Sequence, residues 1–458
     1  MITAMLQRTC LCAILFLATP LWSQVSSPGE ESVNAPNAEN RMLTPPVVSG
    51  QAYPVAGVSE ERSNYLRGGV AFTTAYSDNV MGSSSGNPVS DISYSVWPTL
   101  AIDQTTSRVH WGANYAPGFT FYRHTSSRNQ ADQNASLNFQ ARLSPHVTIA
   151  AQDAFQKSSN FFNQPDLVSA GAVSGGAQGP NQSVIAPLAD RLSNDGNGGI
   201  TYQFTASDMI GASGAFSRLY YPNPKDVSGL YDSSSQAGSG FYTHRVAEMH
   251  YFGASYQYQR LMSYPTQGQN ETQTHALLLF YSFDPSKRFS ISMFGGPQYA
   301  MIGPQFSVGV SVAQPGMKTW RPVAGASMNW QGQSASLAVS YVHTISGGGG
   351  LVGAVYMDSA SASYRQQFTR SLSAACSGGY AQNKVVGDFP PTAAASTNGH
   401  SVSGTASLQR QFGEHLNLQL GYTRLHQSYN NVAVLSRNPD TNREWVSISY
   451  QFNRPLGR

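Results

Sequence analysis

The sequence predicts an all-β chain, a transmembrane antiparallel β-barrel of about eighteen strands, with sixteen as the alternative count. Three observations carry that expectation. Apolar and polar residues alternate through most of the chain, and such alternation sends one set of side chains to each face of a strand. Connections between the alternating runs are short and long in turn, as in membrane barrels with tight turns at one end and loops at the other. Charged residues make up only 11% of the 458 residues, against roughly 25% in ordinary globular domains. Lipid tolerates few charges outside such a wall, and neutral polar groups suffice inside it.

The chain opens with Met1–Arg8, a short apolar run at Leu11–Leu17, and small or polar residues around Ser23. Residues 1–23 therefore read as a secretory signal peptide, cut near Ser23–Gln24. The run is well short of the ~20 residues a spanning helix needs. Cys10 and Cys12 would leave with it, so Cys376 stands alone in the mature chain and no intrachain disulfide forms. No later apolar run reaches ~18 residues, which excludes a helical membrane protein. Residues 24–64 carry proline, serine, glutamate and asparagine without a period and read as a flexible periplasmic leader. Residues 65–458 are assigned to the barrel.

Eighteen strands joined in hairpins are read between Arg67 and Asn453. The clearest alternations set Leu416, Leu418, Leu420 and Tyr422 against Asn417, Gln419, Gly421 and Thr423. Ala135, Leu137, Phe139 and Ala141 oppose Ser136, Asn138, Gln140 and Arg142 in the same way. Tight turns fall at Ser144–His146, Ala206–Asp208, Arg245–Glu248, Gln331–Gln333 and Gly413–Glu414. Long connections lie between them, the longest being Lys157–Asp195, which either folds into the lumen or stays outside. With both termini at the short-turn end the strand count must be even. Pro98, Pro117, Pro297 and Pro322 fall inside proposed strands, where each removes a ladder donor, so bulges or strand ends are expected there.

The last strand, Arg443–Phe452, reads REWVSISYQF, with Val446, Ile448, Tyr450 and Phe452 on one face and Ser447, Ser449 and Gln451 on the other. Bacterial outer-membrane barrels typically close on such a strand with an aromatic residue near its end. Trp445, Tyr450 and Phe452 resemble the membrane-assembly signal read by the barrel-assembly machinery, although the tail Asn453–Arg458 departs from its strict form. The mature chain is similar to porin-like outer-membrane barrels of an uncharacterised family, some of which accompany exopolysaccharide gene clusters. That resemblance implies a location in the bacterial cell outer membrane, with lipid and the assembly machinery as partners. It implies no cofactor.

A net charge of +3 and the absence of a basic stripe argue against nucleic acid as a partner. The histidines have no zinc-ligand spacing with a supporting acid, and no Gly-x-Ser-x-Gly elbow occurs, so neither metal nor catalytic residues are assigned and the chain reads as a non-enzyme. Gly347–Gly350 lacks the Lys-Ser/Thr of a phosphate cradle and reads as a flexible loop. Pore-lining residues are expected among Arg142, Arg321, Arg365, Gln419 and Ser449. A lumen so lined suits small polar, mostly uncharged solutes with a mild anion preference. A conduit accompanying exopolysaccharide export is the alternative, and an outer-membrane hydrolase a third. A homo-oligomer is one option for the assembled state.

Overall fold

The computed structural model describes residues 64–82, 88–158, 190–223, 227, 229–266, 268–286, 288–304, 316–351, 353–386, 398–430 and 440–455. The segment assigned to the signal peptide, the leader up to residue 63, and residues 159–189 of the longest connection lie outside them. Six strands come first: β1 (Tyr65–Ser77), β2 (Asp91–Thr105), β3 (Val109–Tyr122), β4 (Gln130–Arg142), β5 (Val147–Ser158) and β6 (Arg191–Gln203). The next six are β7 (Asp208–Tyr220), β8 (Ser233–Ala247), β9 (His250–Ser263), β10 (Asn270–Ser286), β11 (Phe289–Ile302) and β12 (Met317–Gln331). The last are β13 (Ala335–Gly347), β14 (Ala354–Gln367), β15 (Leu372–Val385), β16 (Gly399–Phe412), β17 (Leu416–Tyr429) and β18 (Asp440–Pro455). Each strand pairs antiparallel with its sequence neighbours, and β1 pairs with β18 from Tyr65↔Pro455 to Ser77↔Arg443. The sheet is closed, with eighteen strands rather than sixteen.

Several tight turns share one device. Thr106, Ser144 and Thr369 each accept a hydrogen bond on the side-chain oxygen from the amide three residues on, at 3.0–3.1 Å. In a fourth turn the Thr205 hydroxyl instead donates to Asp208 at 2.6 Å. A serine or threonine at the start of a four-residue turn stabilises it with a local side-chain bond, where a two-residue hairpin relies on the positive φ that glycine allows. At Gly413 a φ of 65° does the same work with no side chain to strain.

The outer face is apolar in the lower, short-turn part of the wall. Leu416, Leu420, Val446, Ile448, Tyr450 and Phe452 are all exposed there, together with Leu277, Leu279 and Met293. Outward tyrosines mark both edges of that belt and reach polar partners beyond it. At the long-loop edge the Tyr341 hydroxyl donates to Asp358 at 3.0 Å and the Tyr422 hydroxyl to Asn442 at 2.6 Å. At the short-turn edge the Tyr242 hydroxyl donates to Asp208 at 2.7 Å. Rings against lipid with hydroxyls at the water side are the girdles of an outer-membrane barrel. The wall is that of a bacterial outer-membrane protein.

The four prolines do not end strands. Pro98 and Pro117 face each other across β2 and β3, where the ladder is interrupted between Val96↔Phe119 and Leu100↔Tyr115. Neither residue has an N–H to donate. Pro297 faces Pro322 across β11 and β12, yet that ladder runs through them. Two prolines opposite each other can occupy only a non-hydrogen-bonded pair. The missing donor of Pro297 is therefore on the β10 side, where pairing skips residues 277–278, and that of Pro322 on the β13 side. There the β12–β13 ladder stops at Ala324↔His343.

Inward aromatic rings lie flat over glycines of the next strand. A Cβ on Gly253 would sit 2.2 Å from the Phe280 ring, on Gly118 2.3 Å from Trp97, and on Gly421 2.2 Å from Trp445. Gly211 under Phe241 and Gly325 under Phe294 repeat the arrangement. The missing side chain makes room for the ring, and the ring covers backbone that glycine would leave bare. Gly253→Ala is expected to destabilise the folded barrel by about 1–3 kcal/mol, the usual cost of overpacking. Gly238, on the outer face with nothing within 4 Å of an added Cβ, should accept alanine within about 0.5 kcal/mol. Urea unfolding followed by heat-modifiable gel mobility measures both, and equal losses would contradict this packing.

Candidate functional site

The lumen is bounded by the inward residues of each strand, and its composition follows from the alternation. On β16 these are Ser401, Ser403, Thr405, Ser407, Gln409 and Gln411; on β17 they include Asn417, Gln419 and Thr423. On β14 Ser359, Ser361 and Ser363 follow one another along the same face. Many pair across strands through their hydroxyls, as in Thr73 to Ser447 at 2.9 Å, Ser292 with Ser327 at 2.7 Å and Ser340 with Ser361 at 2.7 Å. A wall of short hydroxyls and amides presents donors and acceptors without fixed charge.

Arg142 and Arg365 stand on the inner face near the short-turn ends of β4 and β14, and Gln419 and Ser449 on the inner face of β17 and β18. Arg321 is also inward but sits in the long-loop half, its guanidinium 5.1 Å over the Tyr356 ring with Nε donating to the Tyr356 hydroxyl at 3.2 Å. These arginines are not the sole inward cations. Arg191, Arg245 and Arg443 share the inner face, and Arg443 is buried at 6% exposure. Asp103, Asp132 and Asp195 stand there too. The three aromatic residues grouped in the terminal strand divide between faces: Tyr450 and Phe452 point outward, whereas Trp445 points inward over Gly421. A strand's period of two separates odd from even positions, so Trp445 cannot share a face with the other two.

The two ends of the lumen differ. Toward the short turns the inner side chains are mostly half-exposed. Toward the long loops they are buried, because the top of the β13–β14 hairpin folds inward. Beyond His343, β13 leaves β12 and approaches β8 and β9. One side of the hairpin packs Ile345 and Ala354 against Leu261, Ala300 and Ile302, with Tyr356 and Met317 at the edge. The other side packs Leu351, Val355 and Met357 against Leu219, Tyr221, Val227, Leu230, Val385 and Tyr429. The tip is pinned by backbone and hydroxyl bonds. The Gly353 amide donates to Ser263 Oγ at 3.0 Å, the Tyr231 amide to the Gly350 carbonyl at 2.7 Å, and the Tyr221 hydroxyl to the Gly349 carbonyl at 3.5 Å. Burial pushes the Tyr221 phenol up to about 12, so it stays a neutral donor.

The Gly347–Gly350 run is thus an ordered turn, not a flexible loop. Gly349, Gly350 and Gly353 have φ of 62°, 105° and 82°, a region that side chains with a Cβ disfavour. The signals for this infolding were the alternation of β13 continuing past His343, the donorless Pro322, and the glycine run itself.

No group of three or more His, Cys, Asp or Glu residues able to hold a metal occurs among the described residues. Histidine–aspartate pairs stand on the outer face near both rims: His343 with Asp358 at 2.7 Å, His426 with Asp440 at 2.7 Å, His244 with Asp208 at 2.8 Å. Inside, Thr105 and Asp103 both address Nδ1 of His110, at 2.8 and 3.6 Å. A nucleophile–base–acid relay needs the two ring nitrogens to face different partners, so this trio is not one.

No protein-family model matches the chain, and no curated protein matches it. Among solved structures it is similar to Acinetobacter baumannii OccAB4, at 10% identity and a TM-score of 0.40, covering 86% of this chain and 99% of that one. It is similar also to Pseudomonas aeruginosa OccK2 (OpdF), at 9% identity and a TM-score of 0.40, covering 85% and 98%. The FrpB iron transporter from Neisseria meningitidis matches at 10% identity and a TM-score of 0.41, covering 84% of this chain and 66% of that one.

The two faces of the wall should answer differently to charge. Leu418→Lys on the outer face of β17 is expected to cost about 2–4 kcal/mol, the range for lysine near a bilayer midplane, and Gln419→Lys far less. Denaturant titration of the barrel folded into vesicles reads both. Equal costs would show that the faces are assigned wrongly.

Proposed function

We propose that the protein is a passive outer-membrane channel for small polar, mostly uncharged solutes. The observation that supports this most is the inner wall itself, built from serine, threonine, asparagine and glutamine along β14, β16 and β17. Such a lining replaces part of a polar solute's hydration without holding it tightly, as a conduit requires. The hairpin lying across the long-loop end favours small solutes over a polymer chain. Outer-membrane lipid is the surrounding partner, and the aromatic ending at Tyr450 and Phe452 fits handling by the barrel-assembly machinery.

Inward arginines give the channel its charge preference. Fixed cations in a confined pore raise the local concentration of anions and repel cations. Arg142 and Arg365 act at the open end and Arg321 beside the hairpin, against a background in which inward aspartates offset part of the other arginines. In planar bilayers the wild type should show weak anion preference, moving towards neutrality in the Arg142→Gln, Arg321→Gln, Arg365→Gln triple variant. The preference should weaken in 1 M salt, where the Debye length falls to about 3 Å. A cation preference in the wild type, or an unchanged reversal potential in the triple variant, would contradict the assignment.

A further inference from the structure

We infer that the upper part of the β13–β14 hairpin is a movable section of the barrel wall, and that its docking in the lumen sets the size limit of the channel. The inference rests on the channel reading above and adds to it the element that determines which solutes pass.

Three independent features converge on this hairpin. The first is the seam. The β12–β13 ladder ends at Ala324↔His343, although β12 runs on to Met317 and β13 to Gly347. A wall strand leaving its neighbour inside a closed barrel gives up backbone bonds on both edges. Pro322 lowers that cost, because its side of β12 faces β13 and has no N–H to lose. Lys318 and Trp320 share its parity, so their amides point to the same seam.

The second feature is the sequence of the hairpin, which suits the wall as well as the lumen. Continued in register, Pro322 would face Ile345 and Arg321 would face Ser346. Tyr341, His343 and Ile345 then extend the outer face, and Val342, Thr344 and Ser346 the inner one. Tyr356, cross-strand partner of Ile345, would join the outer face as well. In the docked position the same alternation is used differently. Ile345 is buried at 1% exposure against Leu261 of β9 and Ala300 and Ile302 of β11. One pattern thus satisfies two placements, the condition for a bistable element.

The third feature is the latch. Besides the apolar packing on its two sides and the ladder that keeps β14 on β15 up to Val355↔Val385, the tip is held by separable contacts: Gly353 to Ser263, Tyr231 to Gly350, Tyr221 to Gly349, and the stacking of Arg321 on Tyr356. Glycines at φ of 62°, 105° and 82° allow the sharp turn that brings the tip to these partners. Moving the hairpin out would release Arg321 to face the lumen and clear the apolar packing from the long-loop end.

Cysteine pairs in a Cys376→Ala background test this in the full chain. Leu261→Cys with Gly347→Cys is the pair for the docked form, since a Cβ on Gly347 would lie 3.7 Å from Leu261 Cδ2 and the two side chains there point at each other. Arg321→Cys with Ser346→Cys links residues that face each other only if the seam is zipped; as a non-hydrogen-bonded pair they suit a disulfide. Heat-modifiable mobility establishes that each variant is folded. In proteoliposomes both pairs should cross-link, the first lowering conductance and the size limit in swelling assays, the second raising both several-fold. A reductant should reverse each. Ser263→Ala, which removes the acceptor for Gly353, should raise conductance without any cross-link. The inference is overturned if the second pair never forms while the first forms fully, or if both locked forms conduct like the wild type. Absence of conductance even in the zipped form would overturn the channel reading with it.

Discussion

Everything in this molecule follows from one constraint: within lipid no water is present to satisfy a backbone N–H or C=O, so each must find its partner in the chain. A sheet meets that demand only by closing on itself, which is why β1 pairs with β18 along the whole of its length. The exceptions are informative because they are expensive. One hole in the ladder lies where Pro98 meets Pro117, roofed by Trp97 over Gly118. Another lies on the β10 side of Pro297, where pairing skips residues 277–278, and a third is the seam beside Pro322, where the wall itself bends inward.

Closure also divides the side chains. Outside, aliphatic residues form the belt and tyrosines pair with Asp208, Asp358 and Asn442 at its edges. Inside, hydroxyls and amides form the wall, interrupted by aromatic rings that rest on glycines. These rings stiffen a glycine-rich sheet and do not furnish open binding platforms, since Trp97, Phe241 and Phe280 are all buried. The lumen is therefore polar and half-exposed toward the short turns and filled toward the loops, where the hairpin's apolar packing adjoins buried polar side chains such as Asn383 and Gln427, and the hairpin is the boundary between the two.

The strands and their faces were legible in the sequence because period two is local: Leu418 and Gln419 declare opposite faces without reference to anything distant. Tight turns were legible for the same reason, their serines and threonines bonding within four residues. Height and partnership were not. Parity puts Arg321 inside but gives no sign that Tyr356 lies beneath it, for that contact depends on a hairpin leaving the wall. The glycine run at Gly347–Gly350 read as slack, and only the packing of Tyr221 and Ser263 shows it to be a fixed turn. Trp445 shares its chemical type with Tyr450 and Phe452, but its odd position sets it on the other face. Arg443, at the start of the same strand, carries no local signal of its burial, which depends on strands distant in sequence.

The most direct test of closure is a bond across the first and last strands. Thr73 and Ser447 face each other on the inner wall, joined by a 2.9 Å hydrogen bond. With cysteines at both positions and Cys376 replaced by alanine, mild oxidation of the protein in outer membranes should give an intramolecular disulfide in nearly every molecule. The product should migrate as a monomer and keep its heat-modifiable mobility. Cross-links that form only between molecules, or none at all, would show that the sheet does not close between β1 and β18.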